Sequence, residues 1–118
     1  MRAFLVLLLI ATPAAAQDTK RGQLLFLQCR ACHNLKAGEP NKVGPNLNGF
    51  LKRAGASAPG FKYSAAFVAA KPKWTDATLD AWLMRPGMLV KGTSMAFAGM
   101  SRPEDRAAMI AYLKTATK

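Results

Sequence analysis

Apolar positions recur at helical spacing in a few short stretches, and the chain between them is broken by glycine and proline. Thr19 is placed to cap a first helix running to Cys29 or slightly beyond, with Gly22, Phe26 and Cys29 on one face. A short alanine-rich helix is expected after Ser64, over residues 65–70. Thr75 reads as the N-cap of the next, whose stripe of Leu79, Trp82 and Leu83 ends at Pro86-Gly87. In the last helix Ser101 and Glu104 stand at capping-box spacing, Pro103 falls in the first turn, and Met109, Ile110, Tyr112 and Leu113 form a buried face. Alternating apolar and polar runs are missing, so no strand is predicted.

The breakers are as informative as the helices. Gly38, Pro40, Gly44, Pro45, Gly49, Gly55 and Pro59 rule out long elements in the middle of the chain, and a second loop is expected from Pro86 to Met100. Loops of that length are rare in a small domain unless they wrap something large. The 118 residues allow one domain with a thin core, which a bound group would complete. The pattern therefore predicts an all-α fold of three to four short helices whose long loops enclose an internal ligand.

The first sixteen residues are not expected to join that fold. Arg2 supplies a positive start, residues 3–11 an apolar stretch, and Ala14-Ala15-Ala16 a small-residue cleavage site. The stretch is far shorter than the roughly 20 residues that span hydrocarbon. It reads as a secretory signal peptide cut before Gln17, leaving residues 17–118 as an exported, periplasmic domain. That domain is strongly basic: the chain has 17 Lys plus Arg against 6 Asp plus Glu, a formal charge of +11. Such a balance predicts acidic partners. The cations are scattered singly or in pairs, with no basic helix or run, which argues against nucleic acid.

The only two cysteines and the only histidine sit together as Cys29-Arg30-Ala31-Cys32-His33, the spacing of c-type haem attachment. Two thiols three residues apart can each add to one haem vinyl group, and the next residue then offers its imidazole to the iron. A structural zinc site needs four N or S ligands, and the chain has three. A redox-active disulfide would need a strand and helix scaffold that the pattern lacks, and a structural disulfide here would close too short a loop to constrain the chain. With one histidine, the opposite side of the iron must take another group, and methionine is the soft ligand that raises the potential. Met84 and Met109 fall in predicted helices, where methionine is commonly core filler. Met95, in a loop flanked by Gly92 and Gly99, is the favoured ligand, with Met88 and Met100 as alternatives.

These residues, together with Gly44-Pro45-Asn46-Leu47, residues 58–63, Trp74, Gly92-Thr93-Ser94-Met95 and residues 110–113, resemble class I cytochrome c, in particular its mitochondrial-type branch as found in bacteria. The resemblance covers essentially the whole of residues 17–118. It implies that the first and last helices cross at Gly22, that the Pro45 carbonyl accepts the second imidazole N–H of His33, and that Arg53, Tyr63 and Trp74 hold a buried haem propionate. Thr93, beside Met95, is counted with the haem-binding residues. The implied cofactor is one covalent haem c, with Cys29 and Cys32 as attachment points and His33 and Met95 on iron. The implied role is that of a monomeric one-electron carrier rather than an enzyme. Its expected partners are acidic surfaces of a cytochrome bc complex, a haem-copper oxidase, a photosynthetic reaction centre or a periplasmic dehydrogenase. A haem enzyme or ligand sensor with an open sixth position is the competing class.

Some positions depart from the family pattern. Trp82 stands where a tyrosine is common and Phe67 where an asparagine often joins a water network, so a drier pocket is expected. Gln23, Gln28, Gly87, Met88, Ser94 and Ser101 occupy positions that carry lysines around the haem edge in mitochondrial proteins. The positive charge is thus expected away from the edge, leaving a more apolar contact.

Overall fold

The computed structural model describes residues 8–10 and 14–118. Most of the expected signal segment lies outside the described residues. Among the described residues five helices appear in the order α1 (Ala14–Leu25), α2 (Ala65–Ala70), α3 (Asp76–Met84), α4 (Pro86–Leu89) and α5 (Pro103–Ala116), with single 3-10 turns at Phe26–Gln28 and Phe50–Lys52. There is no strand among the described residues, and no helix there is long and apolar enough to cross a membrane. The all-α expectation holds; the middle loop is irregular apart from the turn at Phe50–Lys52, and the loop expected from Pro86 is shortened by α4.

Four boundaries differ from the sequence reading. α1 begins at Ala14, not after Thr19, because Ala14 to Ala16 are strong helix formers and extend the helix backwards. Its far end tightens to a 3-10 turn before Cys29. Pro86 ends α3 but then opens the one-turn α4, since proline's fixed φ suits the first helical position. Pro103 starts α5 in the same way, so Arg102 becomes the N-cap and the Ser101–Glu104 capping box does not form. Glu104 instead accepts from Arg102 Nε at 2.8 Å. Thr75 is the N-cap as read, and Thr78 caps it in return; the short helix follows Ser64 as expected, with Ser64 Oγ accepting from the Phe67 N–H.

The scaffold is the crossing of α1 and α5, with α3 packed against α5 and α4. At the crossing Gly22 is buried, and a Cβ there would stand 2.1 Å from the Ala108 carbonyl oxygen and 2.6 Å from Tyr112 Cβ. Phe26 packs on Tyr112 one turn further on, with ring centroids 5.7 Å apart. An exposed pair, Arg21 to Asp105 at 2.5 Å, closes the same crossing. The core continues through Leu79, Trp82 and Leu83 of α3 and Met109, Ile110 and Leu113 of α5. Met84, read as core filler, is 45% exposed, because α3 turns that position outward at its last residue.

Gly22→Ala separates packing from helix propensity. Propensity alone would stabilise α1 by about 1 kcal/mol, whereas the added methyl must push the helices apart, which costs about 1–3 kcal/mol. Denaturant unfolding is expected to show a net loss of stability; a gain would mean that the crossing is not close-packed.

Candidate functional site

Leaving α1, the chain continues in tight turns that aim three side chains at one space. Cys29 and Arg30 donate their N–H groups to the Phe26 carbonyl, Cys32 and His33 donate theirs to the Cys29 carbonyl, and the run of turns ends at His33. Cys29, Cys32 and His33 line a cavity of about 210 Å³ that is partly open to solvent. Its walls are mostly apolar, built from Phe26, Leu47, Phe50, Leu83, Phe97 and Leu113 among others. Cys29 and Cys32 are free thiols. No cluster of three or more His, Cys, Asp or Glu that could hold a metal ion exists among the described residues.

His33 is held rigidly. Its Nδ1 lies 2.8 Å from the Pro45 carbonyl oxygen, which fixes Nδ1 as the protonated nitrogen and leaves the Nε2 lone pair free. Burial lowers its pKa below the usual range, with help from the Lys42 charge and against the bond to Pro45. The ring is therefore neutral at ordinary pH, as a ligand must be. Gly44 makes room for it: a Cβ there would sit 2.3 Å from His33 Cε1. Gly44 was read from the sequence as a loop breaker and as part of the Gly44-Pro45-Asn46-Leu47 segment of the resemblance; its buried contact with the imidazole is tertiary and had no local signal. Burial pushes the Cys29 thiol up to about 11, with Cys32 adding to the rise, so Cys29 stays a thiol.

Of the methionines considered as ligands, Met95 and Met109 line the cavity, while Met84, Met88 and Met100 do not. Met109 is fully buried on α5. Met95 is half-buried on the loop, where its N–H donates to Thr93 Oγ1 at 3.3 Å and its carbonyl accepts from the Phe97 N–H. Thr93 also lines the cavity and thereby shapes the approach of Met95.

Arg53, Tyr63 and Trp74 all reach the same cavity. The Tyr63 hydroxyl accepts from the Ala58 N–H at 2.9 Å, which leaves its own proton to donate. Arg53 spends part of its fork on the Asn46 and Asn48 carbonyls and on Ser57 Oγ, and part remains. Trp82 and Phe67 turn rings into the site: Phe67 stacks on Tyr63 at 5.3 Å and meets Trp82 edge-on at 5.4 Å, and Trp82 meets Trp74 at 5.6 Å. Neither position offers the hydroxyl or amide common in the family.

A neutral imidazole, a thioether sulfur, two thiols at attachment spacing, aromatic walls and a few donors at one end fit a haem, and with the all-helical fold they define a c-type haem protein. Comparison with known proteins agrees. The cytochrome c family profile matches residues 19–117, and the chain belongs to that family. Proteins named cytochrome c from Ulva intestinalis and Chlamydomonas reinhardtii are 42% and 43% identical over 101 and 105 residues. Those matches cover 85% and 88% of this chain and 91% and 94% of the relatives. One from Arabidopsis thaliana is 42% identical over 102 residues, 86% of this chain and 91% of the relative. The family carries one covalent haem c and transfers electrons; its members are not enzymes.

Gly44→Ala is expected to displace His33 from Pro45 and to destabilise the haem-loaded protein by about 1–3 kcal/mol, as overpacking does. Unfolding together with the Soret spectrum reads both effects. An unchanged spectrum and midpoint would show that the imidazole is not confined by Gly44.

Proposed function

We propose that the protein is an exported, monomeric one-electron carrier with a His/Met-ligated haem c. Cys29 and Cys32 form the thioether links, and His33 and Met95 occupy the two axial positions. The observation that carries this reading is the convergence of all four side chains on one apolar cavity, with His33 already fixed in the tautomer that frees Nε2. The haem supplies a one-electron couple at iron, and the protein's part is to hold, insulate and expose it. Pro45 orients the imidazole, Thr93 shapes the methionine loop, and Arg53, Tyr63 and Trp74 donate to a propionate that would be costly to bury unpaired. Trp82 and Phe67 exclude water from the methionine side.

In this reading the signal segment ends at Ala16 and delivers residues 17–118 to the periplasm. The partners are acidic faces of a cytochrome bc complex, a haem-copper oxidase, a photosynthetic reaction centre or a periplasmic dehydrogenase. The charge distribution supports a docking face with two parts. Asp76, Asp80, Glu104 and Asp105 are each tied to a cation within the helical scaffold. From Arg30 to Lys73, by contrast, many cations share the sequence with a single acidic residue, Glu39. That region steers acidic partners from a distance. At the cavity mouth the lining includes Gln28, Val43, Ser94 and Ala96, with Val43 79% exposed. Contact there is apolar rather than ionic.

The decisive measurement is the optical spectrum of the ferric protein isolated after export, with its mass beginning at Gln17. A weak sulfur-to-iron charge-transfer band is expected, and it should disappear in Met95→Ala. A high-spin ferric spectrum in the wild type would overturn the closed His/Met site and favour a ligand-binding haem.

The apolar contact predicts a second result. Association with an acidic redox partner should fall less steeply with ionic strength than for a cytochrome c whose haem edge carries lysines. An equally steep slope would mean that ion pairs at the edge still dominate.

A further inference from the structure

Arg106 is the only charged side chain buried among the described residues, at 7% exposure. A buried guanidinium is costly unless its donors are satisfied, and the bonds it makes converge on one end of the methionine loop. Its Nε donates to Asp80 Oδ1 on α3 at 2.7 Å, and its Nη1 donates to the carbonyls of Met100 at 2.9 Å and Ser101 at 3.1 Å. Met100 in turn donates its N–H to the Leu83 carbonyl at 2.8 Å. Gly99, at φ +106, runs so close to the end of α3 that a Cβ would stand 2.0 Å from the Met84 carbonyl oxygen. The downstream foot of the loop is thereby fastened to both α3 and α5.

The rest of the loop is held by the half-buried side chains of Met95 and Phe97 packed on the core and is otherwise exposed. The upstream foot is Val90, buried at 3% exposure. Between the feet Lys91, Gly92, Ser94, Ala96 and Ala98 are exposed. The bonds there are local ones, Thr93 N–H to the Val90 carbonyl, Met95 N–H to Thr93 Oγ1 and Phe97 N–H to the Met95 carbonyl. Segments with exposed backbone and few buried contacts open at low free energy, so the feet decide how long the Met95 sulfur stays at the cavity.

We infer that Arg106 is a positioning residue: through the Met100 and Ser101 carbonyls it holds the downstream foot of the loop, and so sets how readily an outside ligand displaces Met95. This rests on Met95 being the axial ligand. Asp80, whose carboxylate is 42% exposed, orients the guanidinium. Lysine at position 106 keeps the charge but has no planar fork with which to serve Asp80 and two carbonyls together.

The test is imidazole titration of the ferric haem protein in the wild type, Met95→Ala, Arg106→Lys and Asp80→Asn. Thr117→Val, at the far end of α5, serves as a control that removes a buried hydroxyl bonded to Leu113. The apparent affinity of an outside ligand rises with the fraction of molecules whose loop is open. Arg106→Lys is expected to bind imidazole about tenfold tighter than the wild type, and Asp80→Asn severalfold tighter. Hydrogen exchange at the Met100 amide should quicken by similar factors. Thr117→Val should lower global stability with wild-type imidazole affinity. Should Arg106→Lys fail to fold, Asp80→Asn carries the test alone. Unchanged affinity in the folded variants, or an equal rise in Thr117→Val, would reduce Arg106 to a general stabiliser and overturn the inference. If the wild type lacks the sulfur-to-iron band and binds imidazole as tightly as Met95→Ala, the ligand assignment itself has failed, and the inference with it.

Discussion

The close crossing of α1 and α5 is the contact on which the other distances depend. Gly22 lets the α1 backbone lie directly on the Ala108 carbonyl, so the two helices meet with no side chain between them. α1 then delivers its last turn, and with it Cys29, Cys32 and His33, at a defined position over α5. From the other partner, α5 sends Arg106 to the foot of the methionine loop and Met109 and Leu113 to the cavity wall. One pair of helices therefore sets both the imidazole side and the methionine side of the site, although the residues involved are far apart in sequence.

Between those sides the chain makes little regular structure and compensates with specific bonds. Asn46 is a hub: its N–H is taken by Asn41, its amide donates to the Lys36 and Glu39 carbonyls, its side-chain oxygen accepts from Asn48 N–H, and its own carbonyl is bonded by Arg53. Backbone polar groups in a loop must find partners when they are covered. Side-chain amides supply them here, which is how a segment rich in glycine and proline forms a wall. The same economy explains the aromatic cluster, since Tyr63, Phe67, Trp74 and Trp82 fill by ring contacts the space that a helix would otherwise occupy.

Charge is divided unevenly between the helical scaffold and the loops. Most of the ion pairs are exposed and worth little each, and they neutralise the α1, α3 and α5 scaffold. The unbalanced cations lie in the loop region, where they can act at long range without being consumed by internal pairs. A carrier must meet its partners quickly and leave them quickly. The proposed combination of long-range attraction with a small, weakly ionic contact would meet both needs.

Local chemistry could be read directly from the chain. The Cys-X-X-Cys-His spacing, the helix after Ser64, the Thr75 cap, the stripe at Leu79, Trp82 and Leu83 and the buried face of α5 are all short-range patterns, and each holds in the fold because neighbours in sequence are neighbours in space. The class of cofactor follows from that spacing alone. What failed was also local but overridden: Ser101 loses its capping role because Pro103 starts the helix one residue later, and Met84 turns outward at a helix end. Which methionines reach the cavity, why Gly44 must lack a side chain, and that Arg106 grips Met100 are decided by contacts between segments many residues apart. No periodicity or motif encodes such contacts, because they exist only once α1, α3 and α5 have packed and brought the loops against one another.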